Sequence, residues 1–170
     1  MIRFLFAAGL MLASAAQADE MVTYTTDQSF GDVTFGVENA ILNQGLIPEN
    51  VSHVGEMLDR TRADVGSDVV LFEAAEVFSF CSAALSSKVM EADVMNIGFC
   101  PYDIFVMQLP ESDEVTVGYR AFPEGAMQEV QTLLDTIVKE AIGEKWAPFA
   151  GFSPSKKAGK TPAFLNVLGV

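Results

Sequence analysis

Residues 97–122 read IGFCPYDIFVMQLPESDEVTVGYRAF, and their pattern decides the fold. Ile97 to Leu109 is apolar and rich in strand formers, and Pro101 interrupts it. Proline has no N–H to give a ladder, so the segment is either two pieces or a strand that starts near Tyr102. Glu111 to Glu114 supplies a short acidic turn, and from Val115 to Phe122 the residues Val115, Val117 and Tyr119 alternate with others. Two strand-like runs joined by a short polar turn form an antiparallel hairpin.

Working outward, Pro123 and Glu124 open a helix whose apolar stripe is Met127, Val130, Leu134, Ile137, Val138 and Ala141, with Gly143 as its stop. Upstream, AEVFSFC (75–81) alternates as a strand, and Ser82 to Asp93 reads as a helix with Leu85, Val89 and Ala92 on its buried side. Val51 to Gly55 reads as a strand and Glu56 to Asp64 as a short helix. Near the start, Met21 to Thr26 suits a strand, and residues 30–44 an amphipathic helix that Ser29 caps with Asp32 three positions on. The order β-α-β-(α)-β-α-β-β-α around one hairpin predicts an α+β two-layer sandwich, a mainly antiparallel sheet with helices packed on one face.

The ends read differently. Arg3, the apolar run Phe4 to Leu12 and Ala16-Gln17-Ala18 have the three parts of a secretory signal peptide. Residues 1–18 are therefore expected to be cleaved, leaving no stable membrane span, and the protein is expected in the periplasm. Residues 19–146 are expected to form the folded domain. Residues 147–170, with Pro148, Pro154, Pro162, Lys156, Lys157 and Lys160 followed by an apolar end, read as a C-terminal tail. Of the 170 residues, 10 are Lys or Arg and 23 are Asp or Glu, so the formal charge is −13. With half the chain apolar, such a chain can bury a core, and it lacks the clustered cations that nucleic-acid phosphates require.

Reactive side chains are few: one His and two Cys. In an oxidising compartment Cys81 and Cys100 form a disulfide candidate, a bond adding about 3 kcal/mol. The alternative readings are a pair of buried thiols, a functional thiol at the start of a helix, or a metal or haem ligand. His53 is too solitary for a multi-His zinc site, but one His can hold haem iron with a second ligand, for which Met57 is a candidate. Arg60, Arg62 and Arg120 stand out in a chain short of cations. Each is a candidate clamp for a carboxylate or another anion, and acids such as Asp59 can also pair with the first two. Tyr102 is placed to bring a hydroxyl near Cys100. No nucleophile elbow, zincin, phosphate-binding or dinucleotide-binding motif occurs, so no catalytic residue is assigned.

The segments VSHVGEMLDRTRADVG (51–66), AEVFSFCSAALS (75–86) and ADVMNIGFCPYDIFV (92–106), supported by SFGDVTFGVENAILNQGL (29–46) and VTVGYR (115–120), resemble the DUF302 family and its TT1751-like fold. The resemblance covers roughly residues 21–142. It implies a small α+β domain of unestablished activity that pairs as a homodimer, with Cys81 matching a cysteine at the end of a central strand. The family pattern also has a Pro-Cys pair opening the next strand, where this chain has Cys100-Pro101. The leading expectation is a non-catalytic module binding a small ligand, cofactor (haem or an anion) or periplasmic protein partner around His53, Met57, Arg60, Arg62, Cys81, Cys100, Tyr102 and Arg120. The alternatives are a thiol-redox factor or enzyme using Cys81 and Cys100, and an envelope interaction protein using the tail.

Overall fold

The computed structural model describes residues 21–143. The expected signal peptide and the tail lie outside the described residues. Among the described residues five strands and four α-helices follow in the order β1 (Met21–Thr26), α1 (Phe30–Asn43), β2 (Asn50–Ser52), α2 (Val54–Thr61), β3 (Ala74–Phe80), α3 (Ala83–Ala92), β4 (Tyr102–Gln108), β5 (Val115–Arg120) and α4 (Gln128–Ala141). A 3-10 helix, Val94–Phe99, links α3 to β4. The strands make one sheet in the order β1-β5-β4-β3-β2, and every neighbouring pair is antiparallel. The architecture is thus mixed α+β, as the hairpin at β4 and β5 led one to expect.

Strand alternation sorts the sheet into two faces. On one face Phe78, Phe80, Tyr102, Ile104, Val106, Val115, Val117 and Tyr119 are buried. They meet the apolar stripes of α1 (Val33, Val37, Ala40, Ile41) and α4 (Val130, Leu134, Ile137, Val138), also buried. Gly36 lets α1 and α4 approach closely, for a Cβ there would lie 2.5 Å from the Ala141 carbonyl oxygen. Helix α3 is tied to the same side, through the Ser86 hydroxyl 2.9 Å from the Tyr102 hydroxyl and through Lys88 Nζ 2.7 Å from Glu129 on α4.

A polar brace crosses the layer boundary. Asp135 on α4 accepts hydrogen bonds from Tyr24 of β1, from Tyr119 of β5 at 3.1 Å and from Lys139 at 2.7 Å. Burial pushes the Asp135 carboxyl up, but the bonds from Lys139, Tyr24 and Tyr119 outweigh it and hold the group below the ordinary carboxylate range. The other side of the account is Tyr119, which burial and then the Asp135 charge keep protonated as a donor.

The start of α1 is as expected: the Ser29 hydroxyl accepts from the Asp32 amide at 3.1 Å. Gly45 and Gly143 take the left-handed conformation just past α1 and α4, at φ +73° and +72°. Three local expectations need correction. The strand expected over Val51–Gly55 stops at Ser52, and His53 is the residue before α2. Pro123 and Glu124 precede α4 by a turn, with Gly125 at φ +95°, so the helix begins at Gln128. Ala92 is exposed at the end of α3, and Ser86 takes the inward place with Val89.

A depressed carboxyl contributes stability that is present above its unfolded pKa and lost as pH falls through the folded value. Asp135→Asn is expected to cost about 1–3 kcal/mol near neutral pH, through donors left without their charged acceptor. Chemical denaturation should show the gap between variant and parent narrowing as pH drops below about 4. A gap independent of pH would contradict the brace.

Candidate functional site

The second face of the sheet has a different character. In β3 and β4 the outward residues include Val77, Phe105 and Met107, all half-buried, so these strands are apolar on both sides. The pairings Thr23–Gly118, Gly118–Phe105, Phe105–Val77 and Val77–Ser52 run one row across all five strands on this open face. Gly118 has a specific reason to lack a side chain: a Cβ there would lie 2.4 Å from the Val22 carbonyl oxygen and 2.9 Å from the Phe105 ring. The Phe105 ring thus rests over the backbone of β5.

One step along the strands the outward row becomes polar. Arg120 pairs across from Met21, and Asp103 from Ser79. The Ser79 hydroxyl donates to Asp103 Oδ1 at 2.6 Å. Arg120 makes no ion pair among the described residues. At this corner the 3-10 helix and Pro101 rise beside the sheet and close a cleft of about 380 Å³. Its walls are Met21, Val77, Phe99, Phe105 and Phe122, with Gly98, Cys100, Pro101, Asp103 and Arg120 completing the lining.

The two cysteines meet at the same corner because of strand register. Phe80 faces Tyr102, so Cys81 falls one step beyond, opposite Pro101 and beside Cys100. Cys81 precedes Ser82, whose hydroxyl caps α3 by accepting from the Leu85 amide. Cys100 ends the 3-10 helix, its amide donating to the Ile97 carbonyl at 3.1 Å, and the Cys100–Pro101 peptide is cis. Both are thiols here, and both are half-buried. Burial, the adjacent Cys100 side chain and the Glu49 charge together push the Cys81 thiol up to about 12, against a weaker pull from the Tyr102 backbone. Cys81, although it stands just before α3, is therefore held as a thiol, chiefly by burial and by the second sulfur beside it.

The expected site residues fall into two groups. Cys81, Cys100 and Arg120 gather around the cleft. His53, Met57, Arg60 and Arg62 lie at the other end of β3, since His53 Nδ1 contacts Glu76 Oε1 at 2.9 Å. Glu76 is five residues from Cys81 along the strand direction, roughly 16 Å away. Around His53 a separate cavity of about 360 Å³ is lined by Glu56, Asp59, Glu73 and Glu76 with Phe30 and Phe72. Met57 is exposed one helical turn on. Arg62 pairs with Asp59 at 3.4 Å, and Arg60 is exposed without an ion pair among the described residues. Tyr102 belongs to the core: it is 1% exposed on the helix side, its hydroxyl occupied by Ser86. Of the eight residues expected in a single site, two, Cys100 and Arg120, line the cleft, and Cys81 lies beside Cys100 without lining it. Among the described residues no group of three or more His, Cys, Asp or Glu side chains could hold a metal ion.

Sequence reasoning missed the cleft's apolar walls. The signal lies in Val77 and Phe105, apolar at positions that alternation assigns to the face away from the helices.

A single antiparallel sheet, layered with helices on one side and carrying a cleft on the other, defines the class of the protein. Its fold is DUF302-like. The chain is similar to the crystal structure of an uncharacterised conserved DUF302 protein from Bacillus stearothermophilus, with 15% identity and a TM-score of 0.52, over 72% of this chain and 93% of that one. No family model matches the chain. No curated protein matches it. No helix among the described residues is long and apolar enough to cross a membrane.

With its thiol pushed up to about 12, Cys81 holds little thiolate near pH 8. Iodoacetamide labelling of the reduced, folded protein should modify Cys100 first and Cys81 at least about a hundredfold more slowly than an ordinary thiol, the difference vanishing in denaturant. Peptide mapping against time checks this. Equal rates in the folded state would show that Cys81 is not held as described.

Proposed function

We propose that this chain is an exported periplasmic module that binds a small anionic ligand with an apolar body in the open-face cleft. The observation that carries the reading is Arg120: a guanidinium without a carboxylate partner among the described residues, set at the rim of an otherwise largely aromatic and aliphatic cleft. Pockets of this size, apolar with a few placed polar groups such as Arg120 and Asp103, are the usual form of small-molecule sites. A guanidinium recognises a carboxylate or sulfonate through paired N–H donors, while Phe99, Phe105 and Phe122 take the apolar part. Asp103 adds selectivity, because its charge, satisfied by Ser79, disfavours a second anion close by.

Export is supported by the charged, apolar and small-residue order of residues 1–18. A homodimer is part of the same reading. The resemblance to DUF302 proteins supports it, and so do the exposed apolar residues Val69, Val70 and Leu71 before β3. Haem held by His53 and Met57 is the weaker alternative, because both stand outside the cleft and among the described residues Glu76 alone hydrogen-bonds the imidazole.

An aromatic sulfonate such as 8-anilinonaphthalene-1-sulfonate serves as a probe with the required charge and bulk. Its fluorescence should rise on titration into the mature protein, and Arg120→Met should weaken binding about tenfold or more while thermal unfolding stays unchanged. Equal affinity in parent and variant would remove Arg120 from the site and the proposal with it.

A further inference from the structure

We infer that Cys81 and Cys100 form a dithiol that exchanges with a small anionic disulfide seated in the open-face cleft, Cys100 being the sulfur that attacks and Cys81 the one that resolves. The inference rests on the cleft reading above and names its substrate class.

Three observations converge. First, the β3–β4 register brings the two side chains together just past the end of the sheet, with the Cys100 side chain in hydrogen-bonding reach of Cys81. Second, only one of the pair faces the cleft: Cys100 lines it, and Cys81 does not. An incoming sulfur therefore meets Cys100 first, with Cys81 held behind it. Third, Arg120 lines the same cleft and has no acid partner among the described residues, so it is free to hold a carboxylate of the molecule whose sulfur approaches Cys100. The state of Cys81 agrees with this division of labour. Buried next to Cys100, it stays protonated until the neighbouring sulfur is converted, and so does not compete for the first attack.

The exchange balances without any outside reagent beyond the disulfide itself. Cys100, as thiolate, attacks one sulfur of RSSR; a Cys100–SR bond forms, the S–S bond breaks, and RS⁻ leaves and takes up the proton Cys100 gave up. The Cys81 sulfur then attacks Cys100, releasing the second RS⁻, which takes the Cys81 proton. The net change is protein dithiol plus RSSR to protein disulfide plus two RSH, the protein losing two electrons and two protons that the disulfide gains. Run backwards, the same steps reduce the protein with a small anionic thiol.

Oxidised glutathione is a suitable probe, and oxidised 2-mercaptoethanol a neutral control. The reduced mature chain is mixed with each, quenched with an alkylating agent and weighed intact. Oxidised glutathione should give the internal disulfide in the parent. Cys81→Ser should stop at one glutathionyl adduct, mapped to Cys100, and Cys100→Ser should accumulate no adduct at a comparable rate. Arg120→Met should slow the reaction with oxidised glutathione about tenfold or more and leave the rate with the neutral disulfide unchanged, which also reports that the variant keeps its fold and its thiols. First attack at Cys81, or equal slowing with both disulfides, would overturn the inference. If the aromatic sulfonate binds in an Arg120-dependent way while neither disulfide oxidises the pair, the cleft reading stands and the dithiol exchange falls. If Arg120 affects neither experiment, both fall.

Discussion

Phe78 lies across from Ile104 and Phe80 across from Tyr102, and this pairing constrains everything around it. With a side-chain period of two, that register sends Phe78, Phe80, Tyr102, Ile104 and Val106 to the helix side together. A slip of one residue would turn the core rings out and bring Asp103 in. The same register leaves Val77 and Phe105 side by side on the opposite face and carries Cys81 to Cys100 at the strand ends. Core, cleft floor and dithiol are thus consequences of one antiparallel pairing. The T-shaped contacts of Tyr102 with Phe80 and Phe122, at 6.3 and 6.2 Å between ring centres, tie that pairing to the segment that walls the cleft.

The two faces of the sheet solve different problems. The helix side is buried, and its polar groups are satisfied: Asp135 is met by Tyr24, Tyr119 and Lys139, and Ser86 by Tyr102. The open side keeps Phe105 over the backbone of Gly118 and Arg120 unpaired among the described residues. Apolar surface left half-exposed beside an unpartnered guanidinium is what a binding site has and a stabilising core lacks.

Much of the fold was legible because its elements are locally consistent. The acidic turn between two alternating runs marks the β4–β5 hairpin, Ser29 caps α1, and the apolar stripe from Val130 to Ala141 marks α4. The failures have physical causes. His53 sits where a three-residue strand gives way directly to a helix, and neither is long enough to show a period. The 3-10 helix Val94–Phe99 has its apolar residues mostly exposed, so it carries no burial pattern. The site was legible in part. Cys81, Cys100 and Arg120 were picked as scarce reactive groups, and register brings them to one corner. Register also separates His53 and Met57 from them, and that is a property of sheet order, which spacing along the chain does not encode. Tyr102 is close to Cys100 along the chain, but β4 turns its ring into the core, where Ser86 takes the hydroxyl, while Cys100 lies before the strand at the end of the 3-10 helix.

The central claim is that the open face, and not the helix side, receives the ligand next to Cys100. Amide chemical-shift mapping of the labelled, reduced protein during titration with oxidised glutathione tests it most directly. The account predicts early shifts confined to Gly98, Phe99, Cys100, Phe105, Gly118 and Arg120, followed by new Cys81 signals as the disulfide forms, with Val37, Ile41 and Leu134 still. Shifts centred on His53 and Glu76, or spread through the helix layer with the cleft silent, would contradict it.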